Sequence, residues 1–141
     1  MAVDGSPAAD AAILAALELA ASIDSPIRFV HASPVAEQLF ETDRENGPTQ
    51  EQIIDSDPVL ADALGKAQAV GVDAVVESIS DPSSTADLAA IVAGAANGLG
   101  AGVIVCGSRG RSAAAGAVLG SVSHNLIRYA SVPVLVVHPS D

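Results

Sequence analysis

Val103-Ile104-Val105-Cys106-Gly107-Ser108-Arg109-Gly110, with Gly120-Ser121 following after nine more residues, decides how this chain is read. An apolar run empties into glycines, and Val122 to Tyr129 then reads as a helix. A strand that passes through glycines into a helix start is how α/β proteins hold phosphates. Glycine lets the backbone approach an anion, and the free N–H groups of the helix N-terminus point at it. Arg109 and Arg111 add positive charge to the loop. The spacing is neither of the two commonest nucleotide signatures. A P-loop needs Gly-Lys-Ser/Thr, but the single lysine is Lys66, and Gly-x-Gly-x-x-Gly is missing as well. The residues alone leave a phosphate loop and a plain flexible connection both open.

Outward from this loop the pattern alternates strand and helix. Ala2-Val3 ends a short first strand before the turn Asp4-Gly5-Ser6-Pro7, where Ser6 suits an N-cap and Pro7 the first helical position. The helix that follows has Ile13, Leu14, Leu17 and Ala21 on one face. Ile27 to Ala32 is a second strand. Ser33 to Gln50 is polar and irregular, and Thr49 with Gln52 can start a short helical turn. Asp57-Pro58 opens a helix carrying Val59, Leu60, Ala63, Leu64, Ala67 and Val70, stopped by Gly71. Val72 to Ile79 is a third strand, and its Asp73 and Glu77, alternating with apolar residues, fit a sheet edge. Ser84 with Asp87 opens a helix striped by Leu88, Ile91, Val92, Ala95 and Leu99, closing at Asn97-Gly98. Strand four, Val103 to Cys106, is fully apolar and so central. Val132 to Val137 is strand five. The order β-α-β-α-β-α-β-α-β argues an open parallel sheet with helices on both faces.

The 141 residues make one ordinary domain with a sizeable core. The aromatic residues are Phe29, Phe40 and Tyr129, so the core is aliphatic, as suits helices on a buried parallel sheet. No apolar run reaches membrane-span length, and the start lacks the pattern of a signal peptide. Cys106 is the single cysteine, which excludes an internal disulfide and points to a cytoplasmic protein. Seventeen acidic against six basic residues give a net charge of −11. Such a surface repels nucleic acid and anionic membranes, and repels itself until counter-ions screen it. With lysine so scarce, the composition is that of a salt-accumulating halophile.

In open parallel sheets ligands bind at the carboxyl ends of strands, where the strand order reverses. Both the Asp4-Gly5-Ser6 turn and the Gly107 to Gly120 loop lie at such ends. Neighbouring first and fourth strands would make them face one another across one crevice. At these positions the chain resembles the universal stress protein family, specifically its ATP-binding branch. Ala2-Val3-Asp4-Gly5-Ser6-Pro7 is similar to the family's first strand and turn. The spacing that ends in Gly120-Ser121 is similar to its nucleotide motif, and Val132-Pro133-Val134-Leu135-Val136-Val137 to its last strand.

The resemblance covers residues 1–141 as a single domain. It implies a Rossmann-like, adenine nucleotide alpha hydrolase-like sheet of five strands in the order 3-2-1-4-5. It also implies a stress-response regulatory role and a homodimer through the last strand. ATP would lie between strands one and four, with Mg²⁺ coordinated through the phosphates rather than by protein side chains. Carried over by position, Asp4 and the backbone near Ala32 would sit by the adenine and ribose. Gly107 and Gly110 would line the phosphate loop, and Gly120 and Ser121 would hold phosphates at the helix start. Ser108 and Arg109 would be further contacts. Family members carry more residues ahead of Ala-Val-Asp, so a clipped central first strand, or a gene start placed too late, is expected.

Three further features bear on rival functions. His31 ends strand two as a hydrogen-bonded, half-buried residue, His124 faces solvent and His138 ends strand five. With no clustered acid–base pair and no metal-ligand spacing, a nucleotide-binding module is favoured. A slow ATPase and a dimeric module that binds no ligand are the alternatives. Cys106 ends an apolar strand and reads as a buried structural cysteine. Strand five, aliphatic and without lysine, is a candidate edge for pairing with a second copy. The alternative is that residues 138–141 fold back and cover that edge.

Overall fold

The computed structural model describes residues 1–82, 84–111 and 119–139. They fall into two compact units, residues 1–16 with 82–141 and residues 17–81, with the boundary inside the first helix. The fold-back of residues 138–141 reaches positions outside the described residues. Where the sequence predicts a first strand, Ala2 makes a single β-bridge. Ser6 then starts α1 (Pro7–Ile23). Its hydroxyl accepts from the Ala9 N–H at 3.2 Å, satisfying one of the free donors of the first turn. The buried face of α1 runs through Ala9, Ala12, Ile13, Ala16, Leu17 and Ala20, while Leu14 is 63% exposed. Leu14 and the exposed Ala21 therefore fall off the expected stripe. The helical period places alanines, not the remaining large side chains, beside Ile13 and Leu17.

Residues 17–81 continue with β1 (Ile27–Ala32), α2 (Ala36–Thr42), α3 (Gln50–Ser56), α4 (Pro58–Ala69) and β2 (Ala74–Ile79). β1 has the boundaries read from the sequence and pairs in parallel with β2, from Ile27 beside Ala74 to Ala32 beside Ile79. Helix α2 lies in the stretch expected to be irregular, and its N-cap, Val35, offers no side-chain hydrogen bond. Helix α3 starts with the capping box foreseen for Thr49 and Gln52. Thr49 Oγ1 accepts from Gln52 N–H at 3.2 Å, and Thr49 N–H donates to Gln52 Oε1 at 2.8 Å. Asp57 caps α4 by accepting from the N–H groups of Val59 and Leu60 at 3.1 and 3.2 Å. The second oxygen of that carboxylate meets His31 Nδ1 at 2.7 Å, in surroundings where Asp57 is 1% and His31 8% exposed. A buried carboxylate with three partners is a satisfied one, and it fastens the start of α4 to the end of β1. Arg28 pairs with Glu77 across the strands at 2.9 Å. Both ends of that pair are wet, so it contributes little.

The other unit adds α5 (Thr85–Gly98), β3 (Ile104–Gly107), α6 (Ser121–Tyr129) and β4 (Val134–Val137). Ser84 caps α5 by accepting from Asp87 N–H at 3.1 Å. Its buried residues are Ala89, Val92, Ala93 and Ala96, whereas Ile91 and Leu99 of the expected stripe are 45% and 53% exposed. β3 and β4 pair in parallel, from Ile104 beside Val134 to Gly107 beside Val137. Two bonds prolong the ladder, Ile104 N–H to Pro133 O at 2.9 Å and Ser108 N–H to Val137 O at 2.7 Å. Arg128 reaches over the ring of Tyr129, 6.0 Å from its centroid. Among the described residues the extended structure is thus four strands in two parallel pairs and one bridge, where five strands were expected. No described helix is long and apolar enough to cross a membrane.

Candidate functional site

The Asp4 turn, the end of β3, the glycine loop and the start of α6 all belong to the unit of residues 1–16 and 82–141. They line one cavity of about 140 Å³. Its walls include Asp4, Gly107, Arg109, Gly110, Gly120 and Ser121, six of the eight residues singled out from the sequence.

Backbone crowding explains the glycines. A Cβ on Gly107 would stand 2.6 Å from the carbonyl carbon of Ala8, because β3 ends hard against the first turn of α1. A Cβ on Gly110 would stand 2.8 Å from Asp4 Oδ2. At Gly120 the nearest atom would be Arg109 Cα at 3.2 Å. At Gly107 the opposing atoms are backbone and cannot step aside, whereas at Gly110 the Asp4 carboxylate, and at Gly120 the Arg109 backbone by a few tenths of an ångström, would have to shift.

Polar side chains hold that closure from two directions. Asp4 Oδ1 accepts from Ser6 N–H at 3.0 Å, and Oδ2 accepts from Arg111 N–H at 3.0 Å. Ser6 Oγ donates to Arg109 O at 3.3 Å. From the helix side, Gly120 N–H donates to Ser108 O at 2.6 Å, and Ser123 Oγ donates to the same carbonyl at 3.1 Å. Gly120 is the N-cap of α6 and supplies no side-chain hydrogen bond, so Ser121 is the first helical residue rather than the cap. The N–H groups of that first turn carry the partial positive charge of the helix end.

Ser108 stands differently from its neighbours. It is fully buried, its Oγ has no hydrogen-bond partner among the described residues, and it does not line the cavity. Its backbone, not its hydroxyl, ties the loop to β4 and to α6. Ala32 ends β1 in the unit of residues 17–81, with Ser33 N–H donating to Ile79 O at 2.9 Å beside it. Ser6, Ser123, Thr85 and Leu88 also shape the site, the last two from the start of α5. The sequence marked Ser6 as a helix cap. Ser123 carried no signal beyond its place two residues after the motif.

Cys106 lies at the cavity wall but is 3% exposed. Burial pushes its thiol up to about 11, against a smaller downward pull from the amino terminus, so at neutral pH it is an inert thiol. His124 and His138 are exposed. Among the described residues no group of three or more His, Cys, Asp or Glu is placed to hold a metal ion. The arrangement offers a glycine loop, a helix N-terminus and one arginine, Arg109, to an anion, and a carboxylate beside them.

A parallel-stranded α/β chain with a glycine loop between a strand and a helix N-terminus defines a class of phosphate-binding folds. Residues 1–138 match the universal stress protein family, and the chain belongs to it. It is 30% identical over 155 residues to a universal stress protein of Mycolicibacterium smegmatis, covering 99% of this chain and 47% of that protein. The chain thus spans about half the length of that curated relative. A universal stress family protein from Burkholderia pseudomallei is similar in structure, with a TM-score of 0.62, 29% identity, and 99% and 92% of the two chains covered. Another universal stress protein, solved in complex with cAMP, has a TM-score of 0.67 and 25% identity, over 99% and 94% of the chains.

Proposed function

We propose that this chain is a regulatory module that binds an adenine nucleotide. ATP is the expected ligand, held by the glycine loop and the start of α6, with Mg²⁺ coordinated through the phosphates. The observation that carries this reading is the shared cavity. The Asp4 carboxylate, the crowded glycines and the N-terminus of α6 converge on it, within one unit of the chain. The family relative solved with cAMP supports an adenine-containing ligand. Phosphate oxygens would accept from the first-turn N–H groups of α6 and from Ser121 Oγ, with Arg109 adding charge. Asp4 would receive ribose hydroxyls on lone pairs left over from its two backbone bonds, with the Ala32 backbone by the adenine. The five-strand order 3-2-1-4-5 and a homodimer through β4 complete the proposal.

Turnover is expected to be slow, far below a typical enzyme rate of about 10 s⁻¹: among the described residues no histidine or lysine lines the cavity, and both oxygens of its one carboxylate, Asp4, accept from backbone N–H groups. Calorimetric titration of the chain and its Gly120→Val variant with ATP, ADP, AMP and cAMP tests the site. The valine would press on the Arg109 backbone and fill the cavity, so binding should vanish while circular dichroism stays native. Undiminished affinity in a folded variant would place the ligand elsewhere. Phosphate release at ordinary enzyme rates, lost on changing His31 or His124, would make the protein an ATPase.

A further inference from the structure

A carboxylate at the wall of a cavity suited to phosphate opposes that ligand by its charge, and Asp4 is such a group. A contact with ribose accounts for part of its use. Its bonds within the chain point to another. Oδ1 accepts from Ser6 N–H at 3.0 Å, which fixes the rotation of the carboxylate. Oδ2 accepts from Arg111 N–H, also at 3.0 Å, across 107 positions of sequence. Both bonds run from a neutral N–H to a charged acceptor, which makes them stronger than bonds between neutral groups.

The loop passes directly over this second oxygen, because a Cβ on Gly110 would stand 2.8 Å from it. On the near side Ser6 Oγ reaches Arg109 O at 3.3 Å, a longer and weaker contact. The Arg109 carbonyl and the Arg111 N–H are thus both taken up by the Asp4 turn. Between them, the N–H groups of Arg109 and Gly110 have no hydrogen-bond partner among the described residues, and both residues line the cavity. Gly110 N would lie 3.5 Å from a Cβ on Gly120, at the start of α6. Successive unpaired N–H groups make an anion-binding concavity. Held in place beforehand, they lose little freedom when a phosphate arrives.

We propose that Asp4 is a positioning residue for the phosphates: through the Arg111 backbone it sets the loop whose N–H groups receive them. This role rests on the nucleotide reading of the site and gives Asp4 a hold on phosphate that no sugar mediates. It carries the opposite sign to an effect of charge. Acting by charge alone, Asp4 would raise affinity for a polyanion when neutralised, and the gain would fade as salt screens it. Acting by setting the loop, it lowers that affinity when neutralised, and salt does not restore it.

The test titrates the full chain, Asp4→Asn, Asp4→Ala and Gly120→Val with inorganic tripolyphosphate, which has neither base nor sugar. Two salt concentrations are used at which circular dichroism shows each variant folded. Asp4→Ala should bind about tenfold more weakly than the wild type at both. Asparagine can accept one of the two N–H bonds, so Asp4→Asn should fall between, and it serves where alanine disturbs the fold. Without any ligand, the Arg111 amide resonance of Asp4→Ala should be displaced from its wild-type position. Equal or tighter binding by a folded Asp4→Asn overturns the proposal. So does an Arg111 amide that alanine leaves unmoved, or a wild-type chain that binds ATP but not tripolyphosphate. Tripolyphosphate binding that survives in Gly120→Val lies outside the loop, and would overturn the nucleotide reading itself.

Discussion

A single methyl group measures how tightly the loop is built: on Gly107 it would lie 2.6 Å from Ala8, and backbone cannot yield as a side-chain tip can. Cys106, the residue before it, gives a pH prediction. Its thiol ordinarily titrates at 9.0 and is pushed up to about 11 by burial. The folded chain therefore holds that proton more tightly than the unfolded chain. The resulting stability is whole below pH 9 and is lost as pH rises toward about 11. Urea melts across this range should show a steeper alkaline fall for the native protein than for Cys106→Ala. Equal slopes would mean that the thiol titrates alike in the folded and unfolded chains and that burial does not shift it. Alkylation by iodoacetamide at pH 8 should likewise be slow until the protein unfolds.

Among the elements, Asp57 offers the sharpest test, because one carboxylate caps α4 and holds His31. Asp57→Ala should lose about 1 kcal/mol from the cap. A further ~1–3 kcal/mol follows from leaving the buried His31 Nδ1 unpartnered. Ser84→Ala at α5 removes an exposed cap and should cost about 1 kcal/mol or less. Similar losses for both, measured by chemical denaturation, would show that the contact with His31 contributes nothing. Caps of this kind were readable in the sequence at Ser6, Thr49, Asp57 and Ser84, because their chemistry is local. Helix α2 was not, since Val35 leaves no capping signature. Leu14, Ile91 and Leu99 fit the helical spacing of a core stripe yet are exposed. Alanines fill much of the buried faces of α1 and α5 instead, and such small residues let a helix backbone approach its neighbours closely. In the site, the glycine positions were legible from spacing. The clasp of Ser6 on Arg109 O joins residues 103 positions apart, and no local pattern announces that.

For the whole molecule the governing quantity is the net charge of −11 on 141 residues. Self-repulsion of that size should be relieved by counter-ions, so the melting midpoint should climb through a salt series from low to molar concentration. A flat or falling midpoint would remove the case for salt adaptation. Light scattering in the same high-salt buffer should give a dimer mass, with Leu135 of β4, 40% exposed, on the pairing element. A monomer at micromolar concentration would exclude the β4 dimer. The chain contains no tryptophan and a single tyrosine, Tyr129, at the far end of the helix whose start lines the cavity. Its emission is therefore a built-in optical label for one helix alone. Ligand docking at one end of α6 could be followed from the other without attaching any dye.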